Sequence, residues 1–152
     1  MKNIEDEKKV AIERFNLFIK QKKMRQTSER VFILDKIYTI SSFFDAQTLY
    51  EQINQEMHIS LATIYSTLNL LQECNLIIRH NFNTNNIKYE KLPIGKATNY
   101  YYRVCVKCNT VKAFADSKLS RSISLRKSNA FSTFNHTLYL YGICKKCKEN
   151  NQ

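Results

Sequence analysis

Four of the chain's five cysteines fall into two C-x-x-C pairs, Cys105 with Cys108 and Cys144 with Cys147. A C-x-x-C turn aims two sulfurs at one point, and two such turns complete a tetrahedral shell with bonds of about 2.3 Å. Four thiolates leave no open position for water or substrate, so the chemistry implied is one structural zinc ion per chain. Lys107, Lys145, Lys146 and Lys148 lie beside the pairs and offset the negative charge of such a centre. A dithiol redox pair would instead place one C-x-x-C at a helix start. There is no H-E-x-x-H, and no H-x-E ahead of a P-C-x-x-C, so the chain has no catalytic residues to nominate and is not read as an enzyme. Cys74 stands apart at the end of a helical stretch, where a small buried residue is expected; a redox switch there would need exposure and a depressed pKa.

The 152 residues suffice for one ordinary domain or two small ones. Lys and Arg total 24 against 13 acids, a formal net charge of +11 that suits a polyanionic partner. That charge is unevenly spread. Residues 1–83 hold eleven basic and ten acidic side chains, whereas residues 84–152 hold thirteen and three. The shift falls near "NTNNIKYEKLPIGKAT", which contains the only proline, Pro93, and one of two glycines, Gly95. Two units are expected: residues 1–83, with a hairpin extending to about 91, and residues 92–152. No long apolar run offers a membrane span or signal-peptide core, so a cytoplasmic protein without a membrane partner is expected.

Apolar periodicity places helices over the first 75 residues. Ala11, Phe15, Phe18 and Ile19 form one stripe. Thr27 can cap a second helix carrying Val31, Leu34, Ile37 and Tyr38, and Asp45 can cap a third carrying Ala46, Leu49, Tyr50 and Ile53. Ser60 can cap a fourth, with Leu61, Ile64, Leu68 and Leu71 inward and Thr63, Ser66 and Asn69 outward. Small uncharged side chains let a helix lie close to base edges. "LIIRHNF" and "IKYEKL" read as a hairpin around Thr84, Asn85 and Asn86. Three helices followed by such a ribbon is the order of a winged helix-turn-helix. Beyond it, "YYYRVC" and "VKAFA" read as strands, "SKLSRSISLRKS" as a helix, and "FSTFNHTLYLYGIC" as a long strand.

The segments "MRQTSERVFIL", "HISLATIYSTLNLLQE", "LIIRHNF…IKYEKL", "CVKC" and "HTLYLYGICKKC", in that order over residues 14–147, resemble the ferric uptake regulator family of bacterial metal-responsive repressors. The resemblance implies an α+β protein: an N-terminal winged helix that binds palindromic DNA, and a C-terminal α/β dimerisation domain holding the cysteine zinc site. It implies a bacterial, homodimeric repressor on an AT-rich inverted repeat of double-stranded DNA. Arg25 and Arg30 would contact phosphates, and Tyr65 would reach a thymine. Thr27, Ser60, Thr63 and Ser66 complete the expected DNA-facing set; Ser66 stands where the family usually has arginine. A zinc-ribbon-like RNA-binding or protein-adaptor module is the alternative reading.

The resemblance also identifies where a regulatory metal would sit, and there the sequence departs. The matching positions are Phe43, Glu90, Tyr100 with Tyr102, and Ala113, of which only Glu90 is a good ligand. A further family site maps to Asn99, Tyr101, Ser120 and His136, of which only His136 is one. The expectation is a metal-stabilised chain with a degenerate sensor. A sharper alternative gathers Tyr100, Tyr102, Glu90 and His136 into an oxygen-rich site of the kind ferric iron accepts. His58 and His80 are expected on the surface near DNA phosphates, and His136 as a hydrogen-bonded structural histidine.

Overall fold

The computed structural model describes residues 4–83, 85–94, 101–133 and 136–150. Tyr100, Asn99, Thr84 and Gly95, singled out above, lie outside the described residues. The chain divides into two compact units, residues 1–96 and 97–152.

Unit 1 opens with helix α1 (Ile4–Gln21), whose first turn holds Glu5, Asp6 and Glu7. Acids at that end oppose the positive end of the helix dipole. Ala11, Phe15 and Ile19 are its buried stripe, and it packs against α2 (Ser28–Thr39). Helices α3 (Ala46–Asn54) and α4 (Leu61–Glu73) complete the helical part. The three expected caps are in place: Thr27, Asp45 and Ser60 accept from the backbone N–H of Arg30, Thr48 and Thr63 respectively. Each satisfies a donor that the helix start leaves unpaired.

Two helices end alike. Lys23 after α1 and Asn75 after α4 adopt left-handed conformations, both at φ 55°. The next residue's N–H then reaches back, Met24 to the Ile19 carbonyl at 3.1 Å and Leu76 to the Leu71 carbonyl at 2.9 Å. This is the Schellman stop, here built without glycine in a chain that has only two. It turns the chain from α4 straight into the hairpin of β1 (Ile77–Asn83) and β2 (Asn86–Lys91).

The hairpin pairs Ile77 with Lys91 and His80 with Lys88, and its register shifts between Asn81 and Asn83. Phe44 adds a short third rung, exchanging backbone hydrogen bonds with Tyr89 at 3.0 and 2.7 Å. The core lies between the helices and the hairpin, around Leu34, Leu49, Ile64, Leu68 and Leu71. His80, expected on the surface, is fully buried. On a strand alternate residues face the same way, and His80 shares the inward face with Phe82 while Arg79 and Asn81 are exposed.

Unit 2 is a three-stranded sheet in the order β4-β3-β5. β3 (Tyr101–Cys105) runs antiparallel to β4 (Val111–Phe114) and parallel to β5 (Leu138–Gly142). Helix α5 (Ser117–Ser124) is capped by Asp116, and α6 (Lys145–Glu149) begins at Cys144. The long strand expected over 131–144 is limited to five residues, and Phe131 makes only an isolated bridge to Ser128. Phe131 is 70% accessible, not packed as a sheet residue.

Candidate metal centre and nucleic-acid surface

The four paired cysteines come from three different pieces of backbone. Cys105 ends β3, Cys108 lies in the turn before β4, Cys144 precedes α6 and Cys147 is within it. The first turn is set by Asn109, left-handed at φ 56°, whose N–H donates to the Cys105 carbonyl at 2.9 Å. Parallel pairing of Cys105 with Gly142 brings the second pair alongside the first.

All four sulfurs lie within 4.8 Å of one another. The Cys108 and Cys144 sulfurs are 3.7 Å apart. A tetrahedral shell with zinc–sulfur bonds of about 2.3 Å spaces its sulfurs by about 3.8 Å, so the cluster fits this ion. The separation is far beyond a disulfide bond of about 2.05 Å.

The surroundings favour charge on part of the cluster. Backbone amides of the first turn and the Cys144 N–H, which donates at 3.3 Å, bring the Cys105 thiol down to about 6. The Thr110 hydroxyl, 3.1 Å from its sulfur, lowers Cys108 as well. Cys147, crowded by the sulfurs of Cys144 and Cys108, is pushed up to about 12. Neighbouring sulfurs cannot all ionise together unless a cation joins them. Cys74 behaves differently: burial pushes its thiol up to about 11, the opposite of an activated nucleophile.

The second surface is the outer side of α4. Tyr65 is 48% accessible there. Ser60, at the cap, and Ser66 are exposed, and Thr63 is half-buried. Their hydroxyls stay close to the helix: Ser60 meets the Thr63 hydroxyl at 2.9 Å, and Ser66 donates to the Thr63 carbonyl at 3.0 Å. Tyr65 is thus the longest side chain of this set standing outward. Arg25 is exposed, and its carbonyl accepts from the Arg30 guanidinium at 2.7 Å. Thr27 spends its hydroxyl on the α2 cap.

Phe43 and Tyr102, two of the residues expected at sensor positions, pack against other rings. In unit 1, Phe43 stands edge-on to His80 and Phe82, at 5.4 and 5.3 Å between ring centres. His80 stacks on Phe82 at 5.0 Å and meets the Glu90 carboxylate at 3.0 Å. Sequence reasoning missed this imidazole, although the strand alternation that pairs it with Phe82 was a usable signal.

In unit 2, Tyr102 stacks on Tyr139 at 5.7 Å and is paired with Ala113 across the strands. The Tyr101 hydroxyl lies 2.8 Å from the Ser120 hydroxyl and 3.1 Å from His136 Nε2. His136 is therefore hydrogen-bonded, as expected. Consecutive strand residues face opposite ways, so His136 sits on the Tyr101 face while Tyr102 is on the other. The proposed grouping of Tyr102 with His136 is not assembled.

Residues 21–141 match the ferric uptake regulator family. The ferric uptake regulation protein of Campylobacter jejuni subsp. jejuni is 29% identical over 147 residues, covering 94% of this chain and 90% of that protein. The Helicobacter pylori ferric uptake regulator, described as having three functional metal binding sites, superposes with a TM-score of 0.73 at 20% identity, over 95% of this chain and 96% of that one. A zinc uptake regulator complexed with zinc and DNA gives a TM-score of 0.55 at 18% identity, over 95% and 97%. With the family match spanning most of its length, the chain belongs to the ferric uptake regulator family.

Proposed function

We propose that this protein is a DNA-binding transcriptional repressor, homodimeric, with one structural zinc per subunit and no switching site for a divalent ion. The observation that carries this reading is the outer face of α4, where exposed Tyr65 stands among short hydroxyl side chains just ahead of the hairpin. In the winged-helix reading of residues 1–83, with the hairpin to about 91 as the wing, α4 enters the major groove. There Tyr65 meets a thymine methyl, and Arg25 and Arg30 anchor phosphates. The related zinc uptake regulator, solved with DNA, supports this use of the fold.

Cys105, Cys108, Cys144 and Cys147 would hold the zinc. When bound, the ion cross-links the end of β3 to α6 and supplies no open coordination position. The dimer reading for residues 92–152 rests on β5, an open sheet edge that exposes Leu140 and Tyr141. Such an edge is normally covered, and a two-fold partner would place two α4 helices on an AT-rich inverted repeat.

A sensor that moves from 1:99 to 99:1 needs about 5.5 kcal/mol of differential binding. Glu90 is the one carboxylate among the sensor positions, and it already meets His80 inside an aromatic clamp. We therefore expect operator affinity to be unchanged by ferrous, manganous or zinc ions once the cysteine site is filled. Fluorescence anisotropy with an inverted repeat, with and without a second metal equivalent, checks this. A tenfold tightening by the second equivalent would refute the degenerate-sensor part. Tyr65→Ala should narrow the gap between operator and random duplex by about 1–3 kcal/mol, whereas Arg25→Ala should weaken both alike.

A further inference from the structure

Helices α3 and α4 are joined by residues 55–60, a turn with neither glycine nor proline. Turns between such helices often rely on glycine. Here the carboxamide of Asn54, the last residue of α3, closes the turn instead. Its amide nitrogen donates to the Ile59 carbonyl at 3.0 Å and to the Tyr50 carbonyl at 3.0 Å. Its oxygen accepts from the Ile59 N–H at 3.4 Å. One side chain thus holds both backbone groups of Ile59, and with both donors and the acceptor engaged it has a single orientation.

Ile59 is 2% accessible and directly precedes Ser60, the cap of α4. Burial fixes how deep the chain enters the core at this point. It does not fix how the peptide leading into α4 is rotated, and two opposed hydrogen bonds to a planar amide do. The Ser60 hydroxyl bonds only within the first turn of α4, to the Thr63 N–H at 3.1 Å and the Thr63 hydroxyl at 2.9 Å. It starts the helix without aiming it. Through the Tyr50 carbonyl, the Asn54 clamp ties the aim of α4 to α3.

We propose that Asn54 is the positioning residue of the DNA-facing surface: its carboxamide sets the rotation of α4, and through it the place where Tyr65 meets a base. This role rests on the DNA-binding reading above and adds a residue that acts only through α4. Tyr65 is a long side chain standing outward, 48% accessible, so a small rotation of its helix becomes a large displacement of its hydroxyl. Binding groups work when held within about 0.5 Å and about 10–20° of their productive geometry. Loss of the clamp therefore costs sequence preference before it costs the fold.

The test is a double-mutant cycle on full-length, zinc-loaded protein, well below its melting temperature. Fluorescence anisotropy is read with an AT-rich inverted repeat and with a random duplex of the same length. Asn54→Ala should weaken binding to the repeat by about fivefold or more. Affinity for the random duplex and the salt dependence should not change, because no phosphate contact is lost. Tyr65→Ala should cost about tenfold or more in the unsubstituted protein, but less than about threefold once Asn54 is alanine, since substitutions that share no contact otherwise add. Asn54→Leu, of similar size but without hydrogen bonds, should repeat the result, and Gln47→Ala on the exposed side of α3 should change nothing. Equal weakening on both duplexes would mark a loss of fold alone and overturn the role. So would a Tyr65→Ala penalty that is the same with and without Asn54. If the unsubstituted protein prefers no inverted repeat, the DNA-binding reading falls and takes this role with it; if Tyr65→Ala matters and Asn54→Ala does not, only the role of Asn54 falls.

Discussion

The two units are held together by different means. In unit 1, four helices and a hairpin enclose a continuous apolar core, with Phe15, Leu34, Ile37, Leu49, Ile64 and Leu68 inaccessible to solvent. In unit 2, the buried apolar residues described all lie on one strand: Tyr101, Tyr102, Val104 and Cys105. Helix α5 has no buried residue at all, and Leu125, Phe131, Tyr141 and Ile143 stand exposed. Small sheets with so little core need a staple. The cysteine cluster sits where one would do most, tying the end of the central strand to the last helix. One unit is built on area removed from water; the other has little core and a cysteine cluster that could hold a metal.

The largest effect should come from removing that staple. Structural zinc contributes about 10–16 kcal/mol in small zinc domains, more than a domain's whole net stability. Cys147→Ser, or chelation of the purified protein, should therefore unfold unit 2 and abolish dimers while the helical signal of unit 1 persists. Circular dichroism with sedimentation would show it. A zinc-free protein that stays dimeric with an intact sheet would erase the contrast between the units.

Next in size is the core of unit 1. Leu68 is fully buried on α4 between the other helices, and Leu68→Ala should cost about 2–5 kcal/mol. Denaturant melts should show that loss in the helical transition, with zinc content unchanged. If the same substitution released zinc, the two units would be coupled more tightly than their separate construction suggests.

Which parts were legible follows the same division. Amphipathic stripes and capping residues specify helices locally, so α1 to α4 and the caps Thr27, Asp45 and Ser60 could be read directly. Cysteine spacing likewise encodes its own geometry. What could not be read depends on pairing between distant segments. The parallel match of β3 with β5 leaves no local mark, and of the strand expected over 131–144 only Leu138–Gly142 pairs, with Phe131 exposed. His80 was misplaced for a related reason, since a titratable side chain was weighted above the period of its strand. The sensor expectation rested on resemblance alone, and the Glu90–His80 contact appears only once the hairpin register is known.

A smaller effect concerns a flaw inside the apolar unit. The Tyr38 hydroxyl is buried without a hydrogen-bond partner among the described residues, and burial drives its pKa upward. An unmet buried hydroxyl costs on the order of 1 kcal/mol or more. Tyr38→Phe should thus stabilise unit 1 by about 1 kcal/mol, read as a higher denaturant midpoint at unchanged slope. A loss of stability would mean the hydroxyl is satisfied in solution.

The smallest effect separates the units by acid. Lys88 on β2 meets Asp45, the α3 cap, at 2.7 Å. Burial acts to raise the Asp45 carboxyl, but the Lys88 ammonium and the Thr48 N–H outweigh it and bring the group down to about 2. A folded pKa below the unfolded value of about 3.9 stabilises the native state above that value, and the gain is lost as pH falls toward 2. Both side chains are about a third exposed, so solvent screening limits the contribution to about 0.5–1 kcal/mol. Zinc ligands meet proton competition much earlier, because thiolates must stay deprotonated to hold the ion. An acid titration followed by zinc release and by helical signal should therefore give two steps, unit 2 first and unit 1 only below about pH 4. Asp45→Asn, which keeps a capping oxygen but loses the charge, should remove the part of the second step due to this pair and leave the first where it was. A single coincident transition would show that the cysteine staple also holds the helical unit.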